Sequence, residues 1–144
     1  MKRSRSALVV GILVLLAGLG WAQTSGEFPA SRSPSAWQHF DAADYGEGWL
    51  KLDRNDDGVV DYVIMVNDRG QKLREAVDFN YDGYMDDFYF YSNDVLQRQE
   101  IDTNFDLRID AWVYLRRGVY IEMWERDRDF DGIIDDRERY GESQ

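Results

Sequence analysis

The chain has 144 residues, the length of one ordinary domain, and its 28 acidic and 17 basic residues give a formal charge of −11. It has no cysteine, which excludes disulfide bonds and a lipid anchor on an N-terminal cysteine. The acidity and the lack of a basic patch argue against binding to nucleic acid or to an anionic membrane surface.

The N-terminus has the three parts of a secretory signal peptide. Basic residues lie within the first five positions, residues 8–19 form an apolar run, and the small residues Gly20 and Ala22 predict cleavage after Ala22. The apolar run is shorter than the roughly 20 residues of a membrane helix. We therefore expect a signal peptide over 1–22 and an exported protein, periplasmic or secreted, without stable membrane insertion after cleavage. The alternative is a retained signal anchor.

The next residues lead into one domain, which we predict over 36–140. Residues 23–35 are rich in Ser, Thr, Pro and Gly and predict a flexible linker. Residues 36–52 have the length of the segments between the motifs described below, but no such motif precedes them. We interpret 36–52 as a capping unit of two strands, because the first unit of a repeat array is commonly atypical.

Four short segments, here called the first to fourth loops, share one pattern. Each has an oxygen-bearing side chain at positions 1, 3, 5 and 9, and three of them have glycine at position 6. This is the ligand order of a calcium loop, because calcium takes about six to eight oxygen ligands and a glycine turn lets a short loop wrap around it. Starts that lie 24 or 25 residues apart predict a repeat architecture. The loops are 53–61, 78–86, 102–110 and 127–135.

The charge of the chain is concentrated in these loops. The first 22 residues hold three basic residues and no acidic one, so the formal charge of the remainder is −14. Thirteen of its carboxylates lie at candidate ligand positions, and without them the charge would be −1. Bound dications would neutralise this acidity, and a metal is a suitable stabiliser for a small exported domain without disulfides.

The segments between the loops predict an all-β protein. Each reads as two strands rich in Val, Ile, Tyr, Phe and Trp around a short turn. Together with the capping unit 36–52 this gives about eight strands in an antiparallel up-and-down meander, as an open sheet or a barrel. Because calcium loops and short turns alternate along the chain, we expect all the calcium loops along one edge.

The motif Asp-x-Asn-x-Asp-Gly-x-x-Asp followed by an apolar strand resembles the calcium loops of FG-GAP repeats in integrin α-chain propellers. It is also similar to a wider class of exported bacterial proteins with repeated Asp-x-Asp-x-Asp-Gly motifs. The likeness covers the loops and their flanks from about 36 to 136. It does not extend to the propeller architecture, because these repeats are less than half the length of an FG-GAP repeat.

The resemblance implies that the first and second loops each bind one calcium ion through their polar side chains and through the backbone carbonyl at position 7. We expect three or four Ca²⁺ ions. The candidate ligands are Asp53, Asn55, Asp57, Val59 and Asp61; Asp78, Asn80, Asp82, Tyr84 and Asp86; Asp102, Asn104, Asp106 and Asp110; and Asp127, Asp129, Asp131, Ile133, Asp135 and Glu138.

Two loops depart from the shared pattern. The third has Leu107 at position 6, where positive φ is needed, so we expect a weak or empty site. The fourth continues to Glu138 at position 12 and resembles an EF-hand loop over 127–138. A short helical turn is expected over Asp135–Tyr140. A pair of EF-hands is disfavoured, because the 24–25-residue period leaves too little room for two helices per loop.

These features predict an exported calcium-binding domain in which calcium is mainly structural, serving as a binding or adhesion module for a glycan or a surface protein. The alternative is a structural or calcium-buffering envelope protein without a specific macromolecular ligand. An enzyme is not expected, because His39 and Ser92 form no nucleophile set with support from the sequence. A carbohydrate-active enzyme and an EF-hand calcium sensor are the less favoured alternatives.

Overall fold

The computed structural model describes residues 36–141. The signal peptide predicted for 1–22 and the linker predicted for 23–35 lie outside these residues and stay predictions. Within the described part of the chain, no helix combines the length and the apolar character that crossing a membrane requires.

Eight antiparallel strands form a single sheet, and their order in the sheet is their order in the chain. The strands are β1 (Leu50–Leu52), β2 (Tyr62–Val66), β3 (Lys72–Val77), β4 (Asp87–Ser92), β5 (Val95–Ile101), β6 (Ala111–Arg116), β7 (Tyr120–Arg126) and β8 (Asp136–Arg139). The predicted all-β meander of eight strands is confirmed. The sheet is open, because β1 pairs with β2, β8 pairs with β7, and β1 and β8 do not meet.

The connections of the meander alternate between loops and turns. The four loops join β1 to β2, β3 to β4, β5 to β6 and β7 to β8, and short turns make the other three connections. Alternate connections in a meander lie at opposite ends of the strands. The four loops therefore form a row at one end of the sheet, and this row contains the candidate metal ligands.

The last element is strand β8, so the helical turn predicted over Asp135–Tyr140 is wrong. Its residues pair with β7, and Glu138 lies opposite Trp124. An isolated turn of helix is unfavourable because it fixes several residues for one hydrogen bond. The open edge of β7 instead offers a ladder of hydrogen bonds. Four charged residues on the outermost strand also discourage pairing with another chain.

The N-terminal unit has one strand, so the prediction of two strands over 36–52 is wrong. Residues 36–49, here called the cap, are mostly irregular and contain the 3₁₀ helix Ala42–Asp44. The carboxylate of Asp41 caps this helix by accepting a backbone N–H at 2.8 Å. Gly48 has φ of 89°, a conformation that glycine adopts freely, and the chain then enters β1. Side-chain packing and one antiparallel bridge, between Asp41 and Tyr84, hold the cap.

The cap packs on one face of the sheet. The centre of that face is a cross-strand row of Val63, Ala76 and Phe88, each 0% exposed. The ring of Phe88 meets those of Phe40 and Trp37 edge-on, at centroid distances of 5.3 and 6.0 Å. Burial of each large apolar side chain stabilises the fold by roughly 1.5–3 kcal/mol. This cluster is the main hydrophobic core.

The second loop is attached directly to the cap. The Met85 N–H donates to the Phe40 carbonyl at 2.6 Å, and the Ala42 N–H donates to the Gly83 carbonyl at 3.1 Å. The side chain of Met85 is fully buried in the core. The position of the cap therefore depends on the conformation of this loop.

The opposite face carries a polar network, here called the tyrosine face. The Glu75 carboxylate accepts hydrogen bonds from the hydroxyls of Tyr62 and Tyr91 and from Lys72 Nζ. Burial favours the neutral acid, but these donors outweigh it and hold the pKa of Glu75 below its usual value. Asp87 accepts from Tyr89 and Gln99 at 2.8 and 2.7 Å, and burial raises its pKa to about 6.

We predict that Phe88→Ala lowers the free energy of unfolding by about 3–5 kcal/mol, because the ring is fully buried beneath the cap and its loss leaves a cavity. Urea denaturation in excess chelator measures the change. Phe79→Ala is the matched control, since Phe79 is 59% exposed and its truncation should cost less than about 0.5 kcal/mol. Equal losses in the two variants would contradict the assignment of the core.

Candidate metal centre

The four loops share a set of hydrogen bonds from backbone N–H groups to their own carboxylates. The position 1 carboxylate accepts from the N–H of position 6 at 2.7–2.8 Å in every loop. The position 9 carboxylate accepts from the N–H of position 2 at 2.7–2.8 Å. The position 5 carboxylate accepts from the N–H of position 7 in the first, second and fourth loops. These bonds fold each loop around its acidic side chains.

Two positions in each loop have positive φ. Position 6 is left-handed in all four loops, including Leu107 with φ of 68°, so the strain expected at this residue is present. Position 4 is also left-handed, with φ of 60–63° at Asp56, Tyr81, Phe105 and Phe130. This second position could not be predicted from the sequence, because none of the four residues is glycine. Each non-glycine residue there costs roughly 1–2 kcal/mol, which the carboxylate hydrogen bonds offset.

Adjacent loops are joined through their position 1 and position 9 residues. The N–H of Asp78 donates to the carbonyl of Asp61 at 2.9 Å. The same bond joins Asp102 to Asp86 and Asp127 to Asp110, both at 2.8 Å. All six of these carboxyl side chains belong to residues that are at most 4% exposed. Burying so many carboxylates without a cation is unfavourable.

The pKa values of the position 9 carboxyls show where positive charge is lacking. Burial, aided by the nearby carboxylates of Asp78 and Asp82, raises the pKa of Asp86 to about 6. Burial also raises the pKa of Asp110. For Asp61, burial is outweighed by hydrogen bonds from Arg54, and the pKa falls below its usual value. The first loop thus has an internal cation, and the second and third have none at this position.

The fourth loop brings three carboxylates together. One oxygen each from Asp127, Asp129 and Asp135 lie within 4.8 Å of one another, the single such acidic group among residues 36–141. Oδ1 of Asp127 is buried and accepts no hydrogen bond from any described residue. In the other three loops the equivalent oxygen accepts a backbone N–H. A buried carboxylate oxygen without a partner, beside two more carboxylates, fits a hard dication.

The other three loops have asparagine in place of Asp129. Its amide donates to the position 5 carboxylate in each of them, at 2.8, 2.9 and 3.2 Å. The fourth loop lacks this donor, which is why its carboxylates are less satisfied by the protein itself. A cavity of about 40 Å³ lies between the third and fourth loops. The residues that line the cavity include Asp106, Asp110 and Asp127.

Two predicted ligands of the fourth loop lie outside the group of three oxygens. Asp131 is exposed, and its carboxylate accepts the N–H of Ile133 at 2.8 Å. Glu138 is exposed in β8 and pairs with Trp124 across the strands. Because β8 begins directly after the loop, position 12 lies on a strand here, as it does in the first three loops.

The sequence reasoning missed the residue at position 2. Arg54 donates through Nε to Oδ1 of Asp61 at 2.5 Å, and its guanidinium lies 5.7 and 5.9 Å from the ring centroids of Tyr62 and Tyr81. In the third loop the Thr103 hydroxyl donates to Oδ1 of Asp110 at 2.7 Å. The only signal in the sequence is that this position differs among the loops while the acidic positions do not.

Comparisons with known proteins do not place the chain in a family. No family model matches it, and no curated protein matches it. Among solved structures, it is similar to a chain in the crystal structure of accessory secretory protein 1, 2 and 3 in Streptococcus pneumoniae. The identity is 12%, the TM-score is 0.47, and the match covers 75% of this chain and 21% of that one. The chain thus spans about a fifth of that protein's length.

We predict that Asp129→Asn has opposite effects with and without calcium. In excess chelator it removes carboxylate repulsion and supplies the amide donor of the other loops, so stability should rise by up to about 1 kcal/mol. With calcium, the gain in melting temperature should be smaller than in the wild type, because one charged ligand is lost. Thermal melting measures both effects. Asp68→Asn, at a turn remote from the loops, is the control; a loss of stability in chelator would contradict this account of the fourth loop.

Proposed function

We propose that this chain is an exported calcium-binding protein in which calcium in the loops is part of the fold. The observation that carries the proposal is the fourth loop, where the unsatisfied Oδ1 of Asp127 lies beside the carboxylates of Asp129 and Asp135. Hard oxygen donors of this kind suit Ca²⁺. Mg²⁺ fits less well, because it requires near-octahedral geometry and retains its water ligands.

The surroundings of the loops favour a structural role over sensing. EF-hand sensors respond to calcium by changing the angle between two helices. Here strands of one sheet flank every loop, and hydrogen bonds join neighbouring loops. An ion in such a loop would neutralise the buried carboxylates and fix the strand connection. Extracellular calcium modules bind at roughly 10⁻⁴–10⁻³ M, which suits permanent occupancy outside the cell.

The proposal of export rests on the N-terminal sequence, with its basic start, its apolar run and the small residues before position 23. We propose no enzymatic activity. The ring of His39 packs edge-on against that of Tyr45 in the cap, at 5.4 Å between centroids, so this histidine is accounted for by packing. The loop carboxylates are likewise engaged by backbone N–H groups.

We predict that calcium raises the melting temperature of the purified protein and that excess chelator lowers it reversibly. A site filled at about 100 times its Kd adds about 2.7 kcal/mol to the free energy of unfolding, because calcium binds the folded loop. For a domain of this size that is roughly 10 °C or more per site. Magnesium at equal ionic strength is the control for screening of charge. Identical melting curves in calcium and in chelator would refute the proposal.

A second role, as a binding or adhesion module, is favoured by the tyrosine face. The cap packs on the opposite face. The tyrosine face combines aromatic rings with the carboxylates of Glu75 and Asp87, and Trp124 lies on the same face. Aromatic rings on an uncovered face can stack on a sugar ring. A structural or buffering protein without such a ligand remains the alternative.

We predict that a glycan found by array screening changes the fluorescence of Trp124. The variant Tyr91→Ala should weaken glycan binding at least about tenfold, because the substitution removes a ring and a hydroxyl from this face. Val119→Ala, in the turn between β6 and β7, is the control, since Val119 is 71% exposed and its truncation removes neither a ring nor a hydroxyl. The absence of any glycan ligand on the array would favour the structural alternative.

A further inference from the structure

The position 9 carboxylates of the four loops differ in whether Oδ1 accepts a hydrogen bond from the side chain at position 2. Oδ2 accepts the N–H of position 2 in every loop. Oδ1 is also bonded in the first and third loops, where the donors are Arg54 Nε to Asp61 at 2.5 Å and Thr103 Oγ1 to Asp110 at 2.7 Å. In these two loops the side chain at position 2 occupies the oxygen that a metal would use.

In the second and fourth loops the position 2 side chain does not bond to that oxygen. Position 2 of the second loop is Phe79, whose side chain cannot donate a hydrogen bond. Position 2 of the fourth loop is Arg128, but its guanidinium pairs with Asp136 instead of Asp135. Asp86 is 2% exposed, and the hydrogen bonds to its carboxylate come from backbone N–H groups, that of Phe79 among them. Both loops therefore have a position 9 carboxylate that is free to accept a cation.

Arg54 is held firmly in place. Its guanidinium also donates to the carbonyl of Asp78 at 3.3 Å and lies beside the rings of Tyr62 and Tyr81. A calcium ion entering the first loop would have to displace this ion pair and would meet a positive charge. Removing a charge-assisted hydrogen bond from a buried carboxylate is costly.

The third loop has a neutral donor in Thr103 and a strained residue in Leu107. The hydroxyl competes for Oδ1 of Asp110 without adding positive charge. Leu107 at position 6 keeps the loop closed at a cost in backbone energy. The third loop should thus bind calcium more weakly than the second and fourth loops. Its affinity should still exceed that of the first loop, where arginine bonds to the position 9 carboxylate.

We propose that the contact between the position 2 side chain and the position 9 carboxylate decides which loops take calcium tightly, so that the second and fourth loops fill first and the first and third are closed by the protein's own donors. This inference rests on the proposed calcium binding. It gives the second loop a particular role, because the cap is hydrogen-bonded to that loop through Met85 and Ala42. Calcium there would fix the cap over the core.

The test replaces the position 2 residue in the first loop and in the second loop, and counts the calcium sites by isothermal titration calorimetry of the purified protein with CaCl₂. We expect two tight sites in the wild type. Arg54→Phe should add a third, with a gain in affinity of at least about tenfold, or about 1.4 kcal/mol. Phe79→Thr should leave one, because a hydroxyl at this position bonds to the position 9 carboxylate in the third loop. Phe79 is 59% exposed, so its replacement is compatible with the fold.

Arg69→Phe is the control, because it makes the same change of charge and side chain at a turn remote from the loops. Thr103→Val is a second variant that removes only the hydroxyl donor and should tighten the third loop. Four equal sites in the wild type, or site counts that do not respond to either replacement, would overturn this inference while calcium binding stands. The absence of any calcium binding in the wild type would overturn the proposed function, and the inference with it.

Discussion

The structure depends on a hydrogen bond that occurs eight times, from a backbone N–H within a loop to a carboxylate at position 1 or 9 of the same loop. These bonds shape the connections that place eight strands in one meander. They require ionised or strongly polar acceptors, six of which are buried, so the fold accumulates negative charge at one end. Neutralising that charge is the physical problem that the rest of the loop chemistry addresses.

The loops solve this problem in different ways. Arg54 supplies an internal cation to Asp61, and Thr103 supplies a neutral donor to Asp110. The fourth loop supplies neither, and it leaves an oxygen of Asp127 unsatisfied beside two more carboxylates. Neighbouring loops also share a backbone hydrogen bond. An ion bound in one loop would therefore stabilise the adjacent connection and, in the second loop, the cap over Phe88.

The sequence predicted the features that depend on regular spacing. Oxygen-bearing residues, glycine at position 6 and apolar strands recur every 24 or 25 residues, and they predicted the meander and the row of loops. It did not predict β8, since Asp-Arg-Glu-Arg has no strand pattern and pairs only because β7 offers an open edge. The single strand of the cap was missed because the cap packs against strands that are distant in the chain. The role of Arg54 was missed because a basic residue among acidic ones does not indicate which carboxylate it pairs with.

Diffraction from crystals grown with calcium, with an anomalous difference map to identify the ions, tests the central claim most directly. The account predicts ions in the second and fourth loops. In the fourth, Asp127 and Asp135 should be among oxygen ligands at about 2.3–2.6 Å. Occupancy should be lower in the first and third loops, where Arg54 and Thr103 hold the position 9 carboxylate. The account would be contradicted if neither the second nor the fourth loop held an ion at saturating calcium. It would also be contradicted if calcium bound elsewhere and Asp127 Oδ1 were hydrogen-bonded to water alone.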